Sequence, residues 1–327
     1  MPEGPEIHRA AEKIRRALEG KVIQDIEITV PRYLERANDF LGKKVLKVEA
    51  RGKAMLIHFD SFVMYSHNQL YGRWTVNRKD TAAKKWNRSL RIALTTDKHT
   101  CRLWSATDII LMEPWELTGH PYLEKLGPDV VIPETTVEQL VTHMNQKKFQ
   151  RRRLKTLLLD QGFFAGVGNY LRSEILFTSS LHPDRTVASL NDEEKNALSE
   201  QALFLSRQSY DVPGITVDLE LYDQLRSMGQ SRGKARHWVF TRNERPCHRC
   251  AALILHTRPG GRRLDYCPQC QPAMCWMQIW KTGNSTQRAY STSPSANSSR
   301  LERWIVLLSI LKSTRLRISL RNQSVVV

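Results

Sequence analysis

The sequence predicts an α+β protein of several domains: a leading helix on a β-sandwich, a helical middle and a four-cysteine hairpin. Three observations carry this prediction. Apolar residues recur at helical spacing near the start, short apolar runs separated by turn residues follow, and two Cys-x-x-Cys pairs stand near the far end. A length of 327 residues allows two or three domains.

The first predicted element is an amphipathic helix. Its apolar face comprises Ile7, Ala10, Ala11, Ile14, Ala17 and Leu18. This spacing is close to the helical period, so these side chains share one face. Gly20 follows the last of them and is a typical C-terminal cap. The sequence therefore predicts a helix that begins almost at the start of the chain.

Strands are predicted between about residues 22 and 111. Apolar and β-branched runs at residues 45–48, 55–59, 62–65 and 90–94 are separated by turn residues. Repeated short strands are typical of a sheet-rich domain, and we expect a sandwich. Several glycine and proline residues at 117–133 then indicate a domain boundary.

The middle of the chain is predicted to be helical. Residues 136–210 carry apolar stripes at helical spacing, and Asn191 followed by three acids is typical of a capped helix start. Gly166 and Gly168 lie at a turn before one stripe. Such a turn exposes N–H groups that suit a phosphate, although a plain helix cap explains the pattern as well. Residues 211–234 are rich in Gly, Ser and charge and predict a mobile loop.

Four cysteines predict a metal site. Cys247 and Cys250 form one pair, and Cys267 and Cys270 form the second, with sixteen residues between the pairs. This spacing is typical of a structural zinc ion, with a rubredoxin-like iron as the alternative. Four thiolates leave no open position, so a catalytic zinc is not expected. Cys275 is expected not to be a ligand, because the set is already complete.

The charge balance favours a polyanion as partner. The chain carries 50 Lys+Arg against 33 Asp+Glu, a formal net charge of +17. Nucleic acid is the simplest such partner, and an anionic membrane surface is the alternative. No secretory signal and no apolar run long enough to span a bilayer is visible, so we expect a cytoplasmic protein with no membrane association.

Several motifs occur together in a characteristic order. They are the opening MPEGPEIHRAAEKI, the segment RGKA at 51–54, SHNQLYG at 66–72, LGPDV at 126–130, GVGNYLR at 166–172 and the cysteine hairpin carrying Arg262. In this order they resemble the formamidopyrimidine-DNA glycosylase/endonuclease VIII family over about residues 2–271.

The resemblance implies a domain organisation. We expect a catalytic β-sandwich at 1–125, a helix–two-turns–helix domain at 126–212, a flexible loop at 213–235 and a zinc hairpin at 236–271. Double-stranded DNA with a damaged base or an abasic site is implied to bind in the cleft between the domains, with a monomer as the expected state. Residues 272–327 form a basic tail of unknown role.

The resemblance also implies a chemistry. Pro2, freed by removal of Met1, matches the nucleophile that attacks C1′ and forms an iminium with the opened sugar, followed by β,δ-elimination. Glu3 matches the general acid/base, and Lys53 matches the lysine that assists glycosylic cleavage. Arg262 matches the hairpin arginine that holds the phosphate at the lesion. Without the resemblance, the sequence also allows Arg262 to be a solvated charge on a turn.

Further positions match DNA contacts of the family. Gln69, Leu70 and Tyr71 match the wedge that fills the gap left by an everted base, and Asn169 matches the phosphate-binding asparagine. Lys125 stands where the endonuclease VIII branch has Arg. Lysine keeps the positive charge but lacks the paired N–H donors with which an arginine binds a phosphate.

The wedge and the Gly4 that follows Glu3 favour oxidised pyrimidines as substrate over oxidised purines. A non-catalytic DNA-binding protein of the same fold is the alternative from another functional class. The segment from Gln271 onward carries eight Lys+Arg and one acid, a charge of +7. An extra DNA arm, a partner segment and read-through sequence are its three interpretations, the last two favoured equally.

Overall fold

A computed structural model describes residues 2–82 and 87–273. The predictions for Met1, Cys275 and nearly all of the basic tail therefore lie outside the described residues. Helix α1 spans Gly4–Leu18. Pro5 stands in its first turn, Arg15 and Arg16 lie in its last turn, and Gly20 follows with a φ of 76°. The predicted leading helix is confirmed.

Two antiparallel four-stranded sheets form the N-terminal sandwich. Their strands are β1 (Asp25–Ile28), β2 (Lys47–Arg51), β3 (Ala54–His58), β4 (Val63–His67), β5 (Arg73–Arg78), β6 (Leu90–Thr95), β7 (His99–Trp104) and β8 (Asp108–Met112). The strand order is β1-β6-β7-β5 in one sheet and β2-β3-β4-β8 in the other. Ile14 and Leu18 of α1 pack into the same core as Ile57 and Leu103. The predicted sandwich is confirmed.

A helical domain follows the sandwich. Its helices are α2 (Val137–Met144), α3 (Leu154–Leu157), α4 (Asn169–Thr178) and α5 (Asp192–Asp211). Asn191 caps α5 by accepting the N–H of Glu194 at 2.7 Å, which is the predicted start. Helix α4 lies at the centre of this domain, and eight of its ten residues are buried. Both ends of α4 therefore contact other parts of the fold.

The sequence predicted a loop at 213–235, but much of this segment is helical. It contains helices α6 (Leu219–Ser227) and α7 (Arg232–Ala235). Ile215 and Val217 are buried against Trp238, in a small core next to the cysteines. The sequence did not predict these helices because the segment is charged and polar. Tertiary contacts, and not a regular spacing of apolar residues, stabilise it.

The hairpin that carries the last two cysteines closes the described chain. Strands β9 (Leu255–Thr257) and β10 (Leu264–Tyr266) pair antiparallel around a turn at Pro259–Gly261. Gly260 and Gly261 have φ values of 58° and 76°, which favour glycine at the tip. Gln271 is fully buried, and its amide donates to the carbonyl of Leu181 at 2.8 Å. The hairpin is thereby fastened to the helical domain.

Candidate active site

Glu3 is held by the N-terminus of α4. Its side chain is 2% exposed, and its carboxylate accepts N–H bonds from Gly168 at 2.8 Å, Tyr170 at 2.8 Å and Leu171 at 3.2 Å. The N-terminus of a helix favours a negative charge, because unpaired N–H groups and the helix dipole both point toward it. The fold therefore fixes the position of the Glu3 carboxylate, and Glu3 directly follows Pro2 in the chain.

The turn at residues 166–168 makes this contact possible. A side-chain Cβ at Gly168 would lie 2.3 Å from the carboxyl carbon of Glu3, so only glycine fits. Gly166 has a φ of 95°, and its carbonyl accepts the N–H of Gly4 at 2.8 Å. The exposed N–H groups that the glycines predicted are present. They bind a carboxylate of the protein itself, which agrees with the helix cap that the sequence also allowed.

Lys53 reaches the same turn from the sandwich. It is 5% exposed, and its Nζ donates to the carbonyl of Val167 at 2.6 Å. Its own N–H donates to the hydroxyl of Tyr122 at 2.9 Å, and the N–H of Gly52 donates to Asp129 at 2.8 Å. These contacts hold the β2–β3 turn against the helical domain. Lys53 and Glu3 are thus placed around one short segment.

The pKa values of these two groups are shifted in opposite directions. Burial raises the pKa of Glu3 to about 7, against the opposing effect of the Lys53 charge. Burial lowers the pKa of Lys53 to about 8, while Glu3 acts to raise it and Arg262 adds to the lowering. Perturbed pKa values of this kind cluster at functional sites. Near neutral pH the pair can therefore exchange protons with a substrate.

Arg262 lies near this pair at the hairpin tip. Its side chain is exposed, and its backbone carbonyl accepts from Arg172 of α4 at 3.2 Å. The guanidinium of Arg172 also donates to the carbonyls of Arg263 at 2.6 Å and Lys155 at 2.5 Å. Helix α4 therefore supports both Glu3 and the hairpin. The tip that presents Arg262 is held by hydrogen bonds from the Arg172 side chain to its backbone carbonyls.

Of the residues expected to contact DNA, Leu70 and Asn169 each line a cavity that includes Pro2. Leu70 and Tyr71 are 56% and 66% exposed, at a turn where Gln69 has a φ of 47°. Asn169 begins α4, and its buried Oδ1 has no hydrogen-bond partner among the described residues. Lys125 is exposed and forms no ion pair with any residue in the described part of the chain.

Two cavities meet at Pro2. One of about 700 Å³ runs between α1 and β5 and includes Leu70 in its lining. The other, of about 340 Å³, is lined by Pro2, Glu3, Glu6, Asn169, Tyr170, Gly214, Arg236, His237 and Phe240. The structure therefore brings Pro2, Glu3 and Asn169 to one cavity and the apolar wedge position to the other.

The four paired cysteines form a group that suits one metal ion. Their Sγ atoms all lie within 4.8 Å of one another. The Sγ atoms of Cys247 and Cys270 are 3.9 Å apart, and those of Cys250 and Cys267 are 3.4 Å apart. A tetrahedral zinc with bonds of about 2.3 Å places its sulfurs about 3.8 Å apart. The donor set and its spacing therefore fit one tetrahedral ion.

Comparison with known proteins identifies the family. Residues 1–107 match the formamidopyrimidine-DNA glycosylase N-terminal domain, and residues 126–218 match the formamidopyrimidine-DNA glycosylase H2TH domain. Endonuclease 8 of Pectobacterium carotovorum and that of Escherichia coli O9:H4 are each 39% identical over 273 residues, which is 83% of this chain and all of the relative. The chain belongs to the formamidopyrimidine-DNA glycosylase/endonuclease VIII family.

Solved structures of this family share the fold. Lactococcus lactis Fpg in complex with abasic-site DNA has a TM-score of 0.67 and is 20% identical, covering 83% of this chain and 99% of that chain. The same protein with DNA containing N7-benzyl-Fapy-dG has a TM-score of 0.68. Across residues 2–82 and 87–273, no helix is long and apolar enough to cross a membrane.

Sequence reasoning missed several residues of this glycosylase-family site. Arg236, His237 and Phe240 line the smaller cavity but carry no motif. Glu174 lies fully buried on α4 and accepts the consecutive N–H groups of residues 238–240 at 2.7–2.9 Å. A Glu directly before the apolar run Ile175–Phe177 of a helix was the one signal available.

Proposed function

We propose that the protein is a bifunctional DNA glycosylase and AP lyase that removes oxidised pyrimidines through a Schiff base on Pro2, with β,δ-elimination. One observation carries this proposal: Glu3 and Lys53 are buried on the turn beside Pro2, with pKa values near neutrality. Buried titratable groups with shifted pKa values cluster at functional sites, and Glu3 also lines the smaller cavity.

The first step is attack by the amine of Pro2, once Met1 is removed. A free α-amino group has a pKa of about 8, so a neutral fraction with an available lone pair exists near neutral pH. The lone pair attacks C1′, the C1′–N bond breaks, and the base leaves with that electron pair and a proton. Lys53 is placed to supply the proton or to stabilise the developing charge.

Glu3 acts first as an acid and then as a base at the sugar in the following steps. The nitrogen of Pro2 first loses its N–H proton to water. Protonated Glu3 then gives a proton to O4′ as the C1′–O4′ bond breaks, and the nitrogen lone pair forms an iminium with C1′. The iminium draws electrons from the C2′–H bond, a base removes that proton, and the 3′ phosphate leaves. Glu3, now ionised, is positioned to be that base. A second elimination expels the 5′ phosphate and completes strand cleavage.

The surrounding residues are proposed to hold the DNA. Arg262 and Asn169 bind phosphates next to the lesion, and Lys125 adds a further basic contact. Gln69, Leu70 and Tyr71 fill the space left by the everted nucleotide, and their exposure on a turn supports this role. One zinc ion on the four cysteines holds the hairpin that carries Arg262, without entering the chemistry.

The choice of oxidised pyrimidines rests on the relatives named endonuclease 8 and on the wedge sequence. Oxidised purines are the second candidate, because the solved structures with the same fold include complexes with Fapy-dG DNA. A non-catalytic DNA-binding role is less well supported, because binding alone requires neither a buried Glu3 nor a buried Lys53.

Borohydride trapping separates these candidates. The protein is incubated with duplexes containing thymine glycol, 8-oxoguanine or an abasic site, and any imine is reduced to a stable adduct. We expect strong adducts with thymine glycol and the abasic site and weaker ones with 8-oxoguanine. Stronger trapping on 8-oxoguanine would favour the purine alternative. Binding to all three duplexes without any adduct would favour the non-catalytic one.

A further inference from the structure

The smaller cavity beside Pro2 and Glu3 has the walls of a base-binding site. His237 and Tyr170 stack with ring centroids 5.4 Å apart, and Phe240 meets the imidazole edge-on at 5.6 Å. Flat aromatic walls suit a nucleobase that has left the duplex stack. On the function proposed above, an everted base enters this cavity, and the lining residues determine which edge of the base is bound.

His237 lines this cavity and has one unpaired ring nitrogen. The residue is 1% exposed, and its Nδ1 lies 2.9 Å from the hydroxyl of Thr216. Its Nε2 is buried and has no hydrogen-bond partner within the described residues. Buried polar atoms in proteins are nearly always paired, so one without a partner at a cavity indicates a group that a ligand satisfies.

The neighbours of His237 fix which nitrogen carries its proton. Thr216 has one hydroxyl proton, and both oxygens within its reach are acceptors: Glu174 Oε2 at 2.5 Å and the carbonyl of Arg236 at 3.1 Å. The Thr216 hydroxyl therefore donates to one of these and accepts from Nδ1–H of His237. The second nitrogen, Nε2, is left as a bare acceptor.

This acceptor persists across the physiological range. Burial lowers the pKa of His237 to about 3, and the positive charge of Arg236 adds to the lowering. The imidazole is therefore neutral near pH 7, with its proton on Nδ1. A neutral ring with a fixed tautomer distinguishes a donor from an acceptor on its ligand.

A donor stands beside this acceptor. Arg236 precedes His237 in the chain and lines the same cavity, and its buried Nε–H also has no partner in the part of the chain that the structure describes. Two consecutive residues of the cavity lining thus carry one unpaired N–H donor and one unpaired nitrogen acceptor. The complementary ligand edge carries a carbonyl oxygen next to an N–H group.

We propose that His237 determines base specificity by accepting the N3–H of an everted pyrimidine, while Arg236 donates to the adjacent carbonyl. An imide edge of this kind is present in lesions derived from thymine and uracil. Lesions derived from cytosine lack it, because their N3 carries no proton. The protein therefore prefers imide-type oxidised pyrimidines, and Thr216 acts as the positioning residue that sets the tautomer.

The test uses two lesions that differ only in this edge. Duplexes containing 5-hydroxyuracil or 5-hydroxycytosine are compared in single-turnover excision by the wild-type protein. We expect 5-hydroxyuracil to be excised at least about tenfold faster, the size of effect that one missing hydrogen bond to a buried group gives. Equal rates, or faster excision of 5-hydroxycytosine, would overturn the proposal.

Two variants assign the preference to His237. His237→Phe keeps an aromatic ring against Tyr170 but removes the acceptor, and we expect the rate ratio to fall toward one through slower excision of 5-hydroxyuracil. In His237→Gln the amide can turn to offer either a donor or an acceptor, and we expect the ratio to fall through faster excision of 5-hydroxycytosine. His182→Phe is the control, since His182 packs against Tyr266 outside the cavity.

An abasic duplex separates this proposal from the proposed function. It carries no base, so borohydride trapping on it measures the lyase step of the wild type and of each His237 variant without the base contact. No trapping by the wild type would contradict the lyase function itself. Normal trapping together with an unchanged lesion ratio in both variants would contradict the role of His237 alone. A variant that loses abasic trapping is set aside as misfolded, and the wild-type ratio and the other variant then decide.

Discussion

Glu3 and Lys53 acquire their properties from burial around a single turn. The sequence placed Glu3 beside Pro2 by adjacency, and the resemblance to the family matched Lys53 to a catalytic lysine. Neither predicted what holds these groups. The donors to Glu3 come from residues 168–171 and the acceptor for Lys53 is Val167, contacts that only the folded chain creates. The shifted pKa values follow from that burial and could not be predicted from the motifs.

Replacing Lys53 by Met tests the coupling of this pair. The change removes the positive charge that lowers the pKa of Glu3 and keeps a long side chain in the buried position. We expect the pH midpoint assigned to Glu3 to move to higher pH, because burial then acts without the opposing charge. The measurement is the pH–rate profile of strand cleavage on an abasic duplex, which omits the glycosylic step.

Arg51→Met is the matched control, because it removes an exposed cation two residues away. Its midpoint should stay close to that of the wild type. A Lys53→Met midpoint that is unchanged or lower would show that the two groups do not interact as described.

At the scale of elements, the turn at residues 166–168 assembles the site. It contacts the start of α1 through Gly4, the carboxylate of Glu3 and the ammonium of Lys53. The two glycines predicted a close approach, and the structure has one. They did not predict its occupant, because a glycine pattern indicates open space and free N–H groups without naming the acceptor.

Gly168→Ala tests this element. The new methyl group would lie 2.3 Å from the carboxyl carbon of Glu3, so the carboxylate must move away from the helix N-terminus. We expect abasic-site cleavage to fall by about 100-fold, in line with the cost of misplacing a catalytic group by about 1 Å, with DNA affinity little changed. The readouts are single-turnover rates and binding titrations.

Gly233→Ala is its control, since a Cβ there meets no atom within 4 Å on the exposed helix α7. This change should leave the rate unaltered and slightly stabilise the fold. Equal activity of the two alanine variants would contradict the role assigned to the turn.

The hairpin that carries Arg262 is tested by removing that arginine. Arg262→Ala removes an exposed charge from the tip without touching a cysteine, so we expect one bound zinc per chain as in the wild type. The slope of log affinity against log salt should fall by about 1, as expected when one phosphate is no longer neutralised, and the second elimination should slow. Metal analysis, salt titrations and the ratio of elimination products are the measurements.

Arg258→Ala removes the same charge from the same hairpin and serves as the control. It should retain zinc and the wild-type ratio of elimination products. Loss of zinc in Arg262→Ala would show that this arginine supports the hairpin rather than the DNA.

For the whole molecule, the sequence predicted the order of the parts better than their connections. The leading helix, sandwich, helical domain and cysteine hairpin all follow from periodicity and cysteine spacing. Helices α6 and α7 did not, because Leu221 and Tyr222 of α6 pack against the core around Trp238, and long-range contacts of this kind leave no local period. Arg236 and His237 were missed for the same reason.

Shortening the chain tests whether residues beyond Gln271 contribute. Residues 1–275 form a compact unit of their own, and the endonuclease 8 relatives align over their full length with 83% of this chain. We expect a chain ending at Gln271 to keep its abasic-site cleavage rate and its salt dependence. A weaker affinity, with a salt slope smaller by about 0.9 for each phosphate that the shortened chain no longer neutralises, would instead identify the basic tail as a DNA arm.

The central claim is that the amine of Pro2 forms the covalent bond to the sugar. The most direct test is to trap the protein on abasic DNA with borohydride, digest both components and locate the modified residue by mass spectrometry. We expect a deoxyribose remnant on the N-terminal peptide at Pro2, and no adduct in protein that retains Met1. An adduct on Lys53, or equal trapping with Met1 retained, would contradict it.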